Sequence, residues 1–311
     1  MTDTAFLLMG PTASGKTDIA IELCKRFPCD IISVDSALVY RGMDIGTAKP
    51  DAETLQSAPH QLVDIRDPEE SYSAGEFVRD AESAIRKSFA NDRIPLLAGG
   101  TMMYFRALTE GIADLPAADE TARAAIDAEA AKLGWPSMHA QLETVDPDTA
   151  ARLDPNDKQR IQRALEVYRV SGKPISEWHT NAASESKRDY SFAKIGLNIE
   201  PRALLHERIA ERLDLMIAAG FEQEMRTLRA RPGLSGDSTA MRSVGYRQFW
   251  RYLDGDYDAA EARDRALFAT RQLAKRQITW LRSEKDVFLI NPLEGNAIAT
   301  ITPYLIDFLN A

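Results

Sequence analysis

Gly10-Pro11-Thr12-Ala13-Ser14-Gly15-Lys16-Thr17 fits the pattern G-x-x-x-x-G-K-[ST], and its flanks are the ones that pattern needs. The apolar run Ala5-Phe6-Leu7-Leu8-Met9 predicts a buried strand, and Asp18-Ile19-Ala20-Ile21-Glu22-Leu23 predicts the opening of a helix. Strand, glycine loop and helix N-terminus together make a phosphate cradle. Loop N–H groups point at the anion, the helix dipole favours it and Lys16 neutralises it. The Thr17 hydroxyl is then placed to ligate a Mg²⁺ bridging the phosphate oxygens. Such a loop reads phosphates and not what they are attached to: a lipid diphosphate ester fits it as well as ATP does. The choice between them has to come from elsewhere in the chain.

Outward from the loop, short β-rich runs alternate with helical stretches. Asp30-Ile31-Ile32-Ser33-Val34, His60-Gln61-Leu62-Val63-Asp64-Ile65 and Ile94-Pro95-Leu96-Leu97-Ala98 each predict a strand, the last ending in Gly99-Gly100-Thr101. That rhythm indicates βαβ units: an α/β fold like that of P-loop NTPases, with a mainly parallel sheet and flanking helices. Ligands on such sheets sit beyond the carboxyl ends of the strands, so Gly10 to Thr17, Asp35-Ser36 and Thr101 become the residues of interest. From Leu115 the pattern turns helical and rich in alanine. Asp154-Pro155-Asn156-Asp157 predicts a turn and N-cap, followed by a helix from Lys158 to Val170 that stops at Ser171-Gly172-Lys173-Pro174. Polar Thr180 to Asp189 reads as a linker, and Ala193 to Ile199 resumes the sheet. The expected organisation is a core of residues 1–114 and 190–311, with an inserted helical domain at 115–189. The remainder is helical up to Val287-Phe288-Leu289-Ile290, a last strand.

With 311 residues, 44% of them hydrophobic, the chain can bury a large core. No run approaches the roughly 18 apolar residues of a membrane span, and the N-terminus lacks the pattern of a signal peptide. Cys24 and Cys29, the two cysteines, have neither zinc-site spacing nor a disulfide framework around them; reduced thiols in the cytoplasm are expected. The net charge of −9 argues against wholesale nucleic-acid binding but does not exclude a local patch.

Asp35 follows a mostly apolar strand, and three roles fit it: a magnesium ligand, a general base, or a cap of the next element together with Ser36. At Gly99-Gly100-Thr101 the glycines permit close backbone approach and the hydroxyl is able to donate to a phosphate oxygen, although a plain turn fits as well. Two acid-free basic stretches stand out in an acidic chain. Residues 239–253 hold Arg242, Arg247 and Arg251 interleaved with Tyr246, Phe249, Trp250 and Tyr252, and residues 269–282 hold Arg271, Lys275, Arg276 and Arg282 with Trp280. Cations for phosphates beside aromatic rings for splayed bases suit single-stranded RNA, although aromatics at helical spacing are also what a core uses. The four histidines have no metal-ligand spacing.

In combination the chain resembles the bacterial tRNA dimethylallyltransferases, also called tRNA isopentenyltransferases. The resemblance rests on the glycine loop, Ile32-Ser-Val-Asp-Ser-Ala-Leu-Val-Tyr40, Met43-Asp-Ile-Gly-Thr-Ala-Lys-Pro50 and Pro59-His-Gln-Leu-Val-Asp64. It continues through Gly99-Gly-Thr101, Asp154-Pro-Asn-Asp157 with Arg160 and Arg163, Gly245-Tyr-Arg-Gln248, and Thr270-Arg-Gln-Leu-Ala-Lys-Arg-Gln-Ile-Thr-Trp-Leu-Arg282. These blocks keep the family's order over nearly the whole chain. Two cysteines cannot build the C-terminal zinc finger of eukaryotic relatives, so the shorter bacterial form is the one resembled.

The resemblance implies transfer of a dimethylallyl group from its diphosphate to N6 of the adenosine 3′ to the anticodon, by a monomer that uses Mg²⁺. It implies that Asp35 takes the N6 proton, that Thr101 bonds the bridging oxygen, and that Lys16 and either Arg208 or Arg212 hold the diphosphate. It also implies tRNA contacts at Asp35, Ser36, Ala37 and Leu38; at Thr101 and Arg123; at Gln159, Arg160, Ile161, Gln162 and Arg163; and at Arg242, Ser243, Val244, Gly245, Tyr246 and Arg247. Lys275 and Arg276 join these as contacts to the RNA backbone. The rival readings are a P-loop kinase or NTPase acting on a small metabolite, which leaves the basic C-terminal blocks unexplained, and a non-enzymatic RNA-binding module, which gives Lys16 and Thr17 no task.

Overall fold

The computed structural model of the chain describes residues 3–111, 113, 115–178 and 188–309. Six parallel strands form one sheet: β1 (Asp3–Met9), β2 (Cys29–Val34), β3 (His60–Gln61), β4 (Ile94–Gly99), β5 (Tyr190–Leu197) and β6 (Val287–Ile290), in the order β3-β2-β4-β1-β5-β6. The helices are α1 (Lys16–Arg26), α2 (Ala52–Ser57), α3 (Ala74–Ala90), α4 (Met102–Glu110), α5 (Glu120–Leu133), α6 (Trp135–Val145), α7 (Pro147–Ala150) and α8 (Lys158–Ser171), then α9 (Arg202–Ala218), α10 (Phe221–Arg229), α11 (Tyr246–Leu253), α12 (Ala259–Ser283) and α13 (Ala297–Leu309).

The alternation of strand side chains sets the two faces of the sheet. Leu7, Met9, Ile32, Val34 and Leu97 pack against α3, α4 and the C-terminal helices through Phe77, Ile85, Tyr104, Phe221, Tyr246 and Leu281. Phe6, Leu8, Ile31, Leu96 and Ile195 face the other way, on to Ile19 and Leu23 of α1 and Ile301 and Leu305 of α13. The register brings three strand ends level, because Gly99 lies opposite Val34 on one side and opposite Met9 on the other. A Cβ on Gly99 would stand 2.0 Å from the Val34 carbonyl oxygen, so this crowded line requires glycine. Neighbouring strands lie about 4.8 Å apart. Asp35, Gly100 and Gly10 therefore leave the sheet side by side.

The expected strand from His60 to Ile65 is shorter than its apolar run suggested. Pairing stops after Gln61 because Leu62 and Asp64 take left-handed backbone conformations, with φ of 63° and 54°. The chain then turns back towards Lys49, whose ammonium is held by the Tyr40 carbonyl, Asp44 and Asp64.

Contacts divide the chain into Met1–Thr109 with Arg188–Ala311, and Glu110–Lys187. The second unit is a helical body of α5 to α8 with its own core of Ile126, Met138, Leu142, Ile161, Leu165 and Val167. Asp157 caps α8 by accepting from the Arg160 amide, and Gly172 ends the helix in the left-handed conformation. Most of the expected linker, residues 180–187, lies outside the described residues.

Candidate active site

A cavity of about 490 Å³ opens at the carboxyl ends of β1, β2 and β4. Thr12, Ala13, Lys16 and Thr17 line it from the glycine loop, Asp35 to Leu38 from the β2 end and Gly99 to Thr101 from the β4 end. Arg212, Arg242 to Tyr246, Arg276, Gln277 and Trp280 close it from the C-terminal helices. Ser14, Gly15, Arg208 and Asp18 line a second cleft, which shares Ala13, Lys16, Thr17 and Arg212 with the first. The phosphate loop thus forms the wall between the two.

Within that loop Lys16 folds back: its Nζ donates to the Pro11 carbonyl at 2.6 Å and to Ser14 Oγ at 3.3 Å. Burial, and then the positive charge of Arg212, push the Lys16 ammonium down to about 7, with Asp35 opposing them. Gly15 holds φ at 84° in the turn that aims the following amides, and Gly10 passes within van der Waals reach of Leu197. Arg208 and Arg212 both reach the loop region, by different routes. Arg208 Nε donates to the Ala13 carbonyl at 2.9 Å, whereas Arg212 donates to the Thr47 carbonyl at 3.2 Å and lines both clefts. Burial lowers the Arg212 pKa, and the carboxylates of Asp35 and Asp18 act against that shift.

Asp35 takes the capping role and also faces the cavity. Its Oδ1 accepts from the Ala37 amide at 2.8 Å and the Leu38 amide at 3.3 Å, so it caps the turn after β2 while lining the cavity. Thr101 Oγ1 accepts from the Ser36 amide at 3.1 Å, which ties the β2 and β4 loops together. No pair of described carboxylates joins Asp35: among the described residues no group of three or more His, Cys, Asp and Glu is gathered to hold a metal. Thr17 and the phosphates of the substrate would offer a Mg²⁺ in this cavity the donor set that a phosphate loop uses.

The C-terminal blocks divide between interior and surface. Tyr246 and Phe249 are buried, Trp250 lies under the Arg229 guanidinium, and Tyr252 packs against the core. This stretch is therefore no platform for splayed bases, since helical periodicity turns its rings inward. Tyr246 instead donates to Glu224 at 2.6 Å, and Glu224 accepts from the amides of Asp44, Ile45 and Gly46, which fixes the rim of the cavity. Arg242 and Arg276 are exposed at the cavity, while Arg247 and Lys275 are exposed but do not line it.

In the helical unit, Ile161 is fully buried and its side chain belongs to the core, which corrects its expectation as an RNA contact. Gln159 is exposed, Gln162 donates to Asp127, and Arg160 pairs with Asp157. Arg123 and Arg163 both clamp the buried carboxylate of Glu166, at 3.0 and 2.9 Å.

Gln277 and His60 are among the cavity residues for which the sequence predicts no part. Burial lowers the His60 pKa, and the ring bonds the Ala58 carbonyl. Gln277 sits inside a block of acid-free basic sequence, as a neutral amide among cations.

The level strand ends, the phosphate loop and the cavity beyond them define a P-loop-type enzyme that handles a phosphorylated substrate. The sequence profile of the IPP transferase family matches residues 38–284. A tRNA dimethylallyltransferase of Burkholderia cenocepacia is 53% identical over 298 residues, 95% of this chain and 92% of that one. The crystal structure of the tRNA isopentenylpyrophosphate transferase of Bacillus halodurans superimposes with a TM-score of 0.72 at 34% identity, covering 100% of this chain and 97% of the other. A eukaryotic dimethylallyltransferase acting on tRNA does so with a TM-score of 0.80 at 25% identity, over 99% and 80%. The chain belongs to the IPP transferase family, as a tRNA dimethylallyltransferase-type member.

Proposed function

We propose that this chain transfers the dimethylallyl group of dimethylallyl diphosphate to N6 of the adenosine 3′ to the anticodon of tRNA, releasing diphosphate. The observation that carries this reading is that the phosphate cradle and the Asp35 carboxylate open on one cavity, along one level of the sheet. Breaking the allylic C–O bond spreads positive charge over the allyl group while negative charge gathers on the departing diphosphate. The principal task is to stabilise that leaving group, and fixed cations and N–H groups in a site closed to water do this best. Lys16, Arg212 and the loop amides meet the diphosphate, and Thr101 is at hand for its bridging oxygen. Thr17, together with the substrate phosphates, would hold a Mg²⁺, which would supply further neutralisation of the leaving group. Asp35 holds the adenine amino group and accepts its proton as the new C–N bond forms.

For the adenine to reach Asp35 it must leave its stack, as in other enzymes that act on a base in place. Exposed Arg242 and Arg276 at the cavity, and Arg247 and Lys275 beyond it, meet the RNA. Gln159, Arg160, Gln162, Arg123 and Arg163 of the helical unit serve the same ligand. With tRNA as substrate the place of action is the cytoplasm, and no described helix is long and apolar enough to cross a membrane.

The test is incubation with radiolabelled dimethylallyl diphosphate, Mg²⁺ and unmodified tRNA, followed by nucleoside mapping. Label on N6 of the adenosine 3′ to the anticodon is expected. Label absent from tRNA, or phosphate transfer from ATP in its place, overturns the reading.

A further inference from the structure

Gln277, near the middle of the second half of α12, is buried in the wall of the cavity with both ends of its amide engaged. Its Oε1 accepts from the Thr12 amide of the phosphate loop at 2.9 Å, and its Nε2 donates to the Gly100 carbonyl at 2.8 Å. Only one orientation of the amide satisfies both, because one partner is a donor and the other an acceptor. The backbone is shaped around it: a Cβ on Gly100 would lie 2.5 Å from Nε2, so only glycine admits this side chain. From Gly100 the connection continues through Thr101, whose Oγ1 accepts from the Ser36 amide, to the turn capped by Asp35.

We infer that Gln277 is a positioning residue for the transfer, setting the distance between the phosphate cradle and the loops that carry Thr101 and Asp35. The inference rests on the function proposed above. The leaving group is held by one loop and the accepting nitrogen by two others. In-line transfer needs them in register, and a displacement of about 1 Å can cost on the order of 10²-fold in rate. Gln277 is the side chain that bonds the first loop to the second. It does so from the helix that also presents exposed Lys275 and Arg276.

The test compares Gln277→Met, which keeps the length and loses both bonds, with Gln277→Glu. Ionised, the glutamate still accepts from Thr12 but repels the Gly100 carbonyl; protonated, it recovers the missing donor. Both variants are expected to bind tRNA within about twofold of the wild type and to lose about 10- to 10²-fold in kcat. On lowering the pH from 8 to 6 the Gln277→Glu deficit relative to wild type should shrink severalfold, and the Gln277→Met deficit should stay constant. Kinetics within twofold of wild type for Gln277→Met, equal deficits of both variants at every pH, or a parallel loss of tRNA affinity would each overturn the inference. Calorimetric titration with inorganic diphosphate supplies an arm independent of turnover, in which Gln277→Met should bind it severalfold more weakly and unchanged affinity counts against the role. Wild-type protein that transfers nothing to tRNA would instead refute the proposed function, and the diphosphate arm would still decide Gln277.

Discussion

Lys16 and Asp35 face one cavity with opposite requirements, and burial sets the charge of the first. The Lys16 ammonium is desolvated and stands near Arg212, so at neutral pH part of the population is uncharged until an anion arrives. A bound diphosphate raises the pKa again, and since the protonated form is the one that binds, the complex takes up a proton above pH 7. At pH 8, where a diphosphate monoester is itself deprotonated, calorimetry in buffers of different ionisation enthalpy should show uptake approaching one proton per diphosphate bound. Lys16→Ala should abolish the uptake and weaken binding, and uptake that persists in Lys16→Ala would assign the proton elsewhere. Asp35→Ala should reduce single-turnover transfer by about 10²- to 10⁴-fold, the usual range for a lost general base, while tRNA affinity falls far less. Near-wild-type transfer in that variant would leave Asp35 with its turn-capping role alone.

Among the elements, α12 and α8 carry charge for different purposes. On α12 Lys275 is exposed and does not line the cavity, so the RNA contact proposed for it is one to a backbone phosphate. Lys275→Ala should make the slope of log affinity against log salt shallower by about one unit for every tRNA alike, without altering diphosphate affinity. Superimposable slopes for mutant and wild type would leave this face merely solvated. On α8 the buried Glu166 is the anchor of its unit. Burial pushes its pKa up, but bonds from Arg163, the Asp119 amide and Arg123 outweigh burial and hold it below the ordinary carboxylate range. A depressed folded-state pKa means the stabilisation is present above the unfolded value, near 4.3, and is lost as pH falls through the folded value. Glu166→Gln should therefore cost about 1–3 kcal/mol at pH 7, and the gap to wild type should close as the pH drops below about 4. Circular dichroism melts across that range measure it, and a gap independent of pH would remove the charge from the explanation.

For the whole molecule, the two units give ligands different reach. The phosphate loop, Arg208 and Arg212 all belong to the α/β unit. Inorganic diphosphate with Mg²⁺ at about 100 times its dissociation constant should stabilise that unit by about 2.7 kcal/mol and leave the unfolding of the helical unit where it was. Scanning calorimetry with and without diphosphate checks this, and an equal shift of both transitions would show that the units unfold as one body.

The features read correctly from the chain are those set by neighbours in sequence. The phosphate loop, the cap at Asp157, the stop at Gly172 and the β-rich runs of β1, β2 and β4 each follow from the conformational preferences of a few adjacent residues, and the order of the blocks sufficed to place the chain in its family. What local sequence left open depended on partners far along the chain. Asp35 suited three roles until the β2 end came level with the glycine loop and the residue proved to cap a turn and line the cavity at once. Tyr246 and Ile161 suited an RNA surface until packing turned both side chains into cores, because a helix tells which residues share a face but not which face is covered. Gln277 carried no local signal at all: its meaning lies in a loop 265 residues away and another 177 residues away, joined to it only when the sheet and α12 come together.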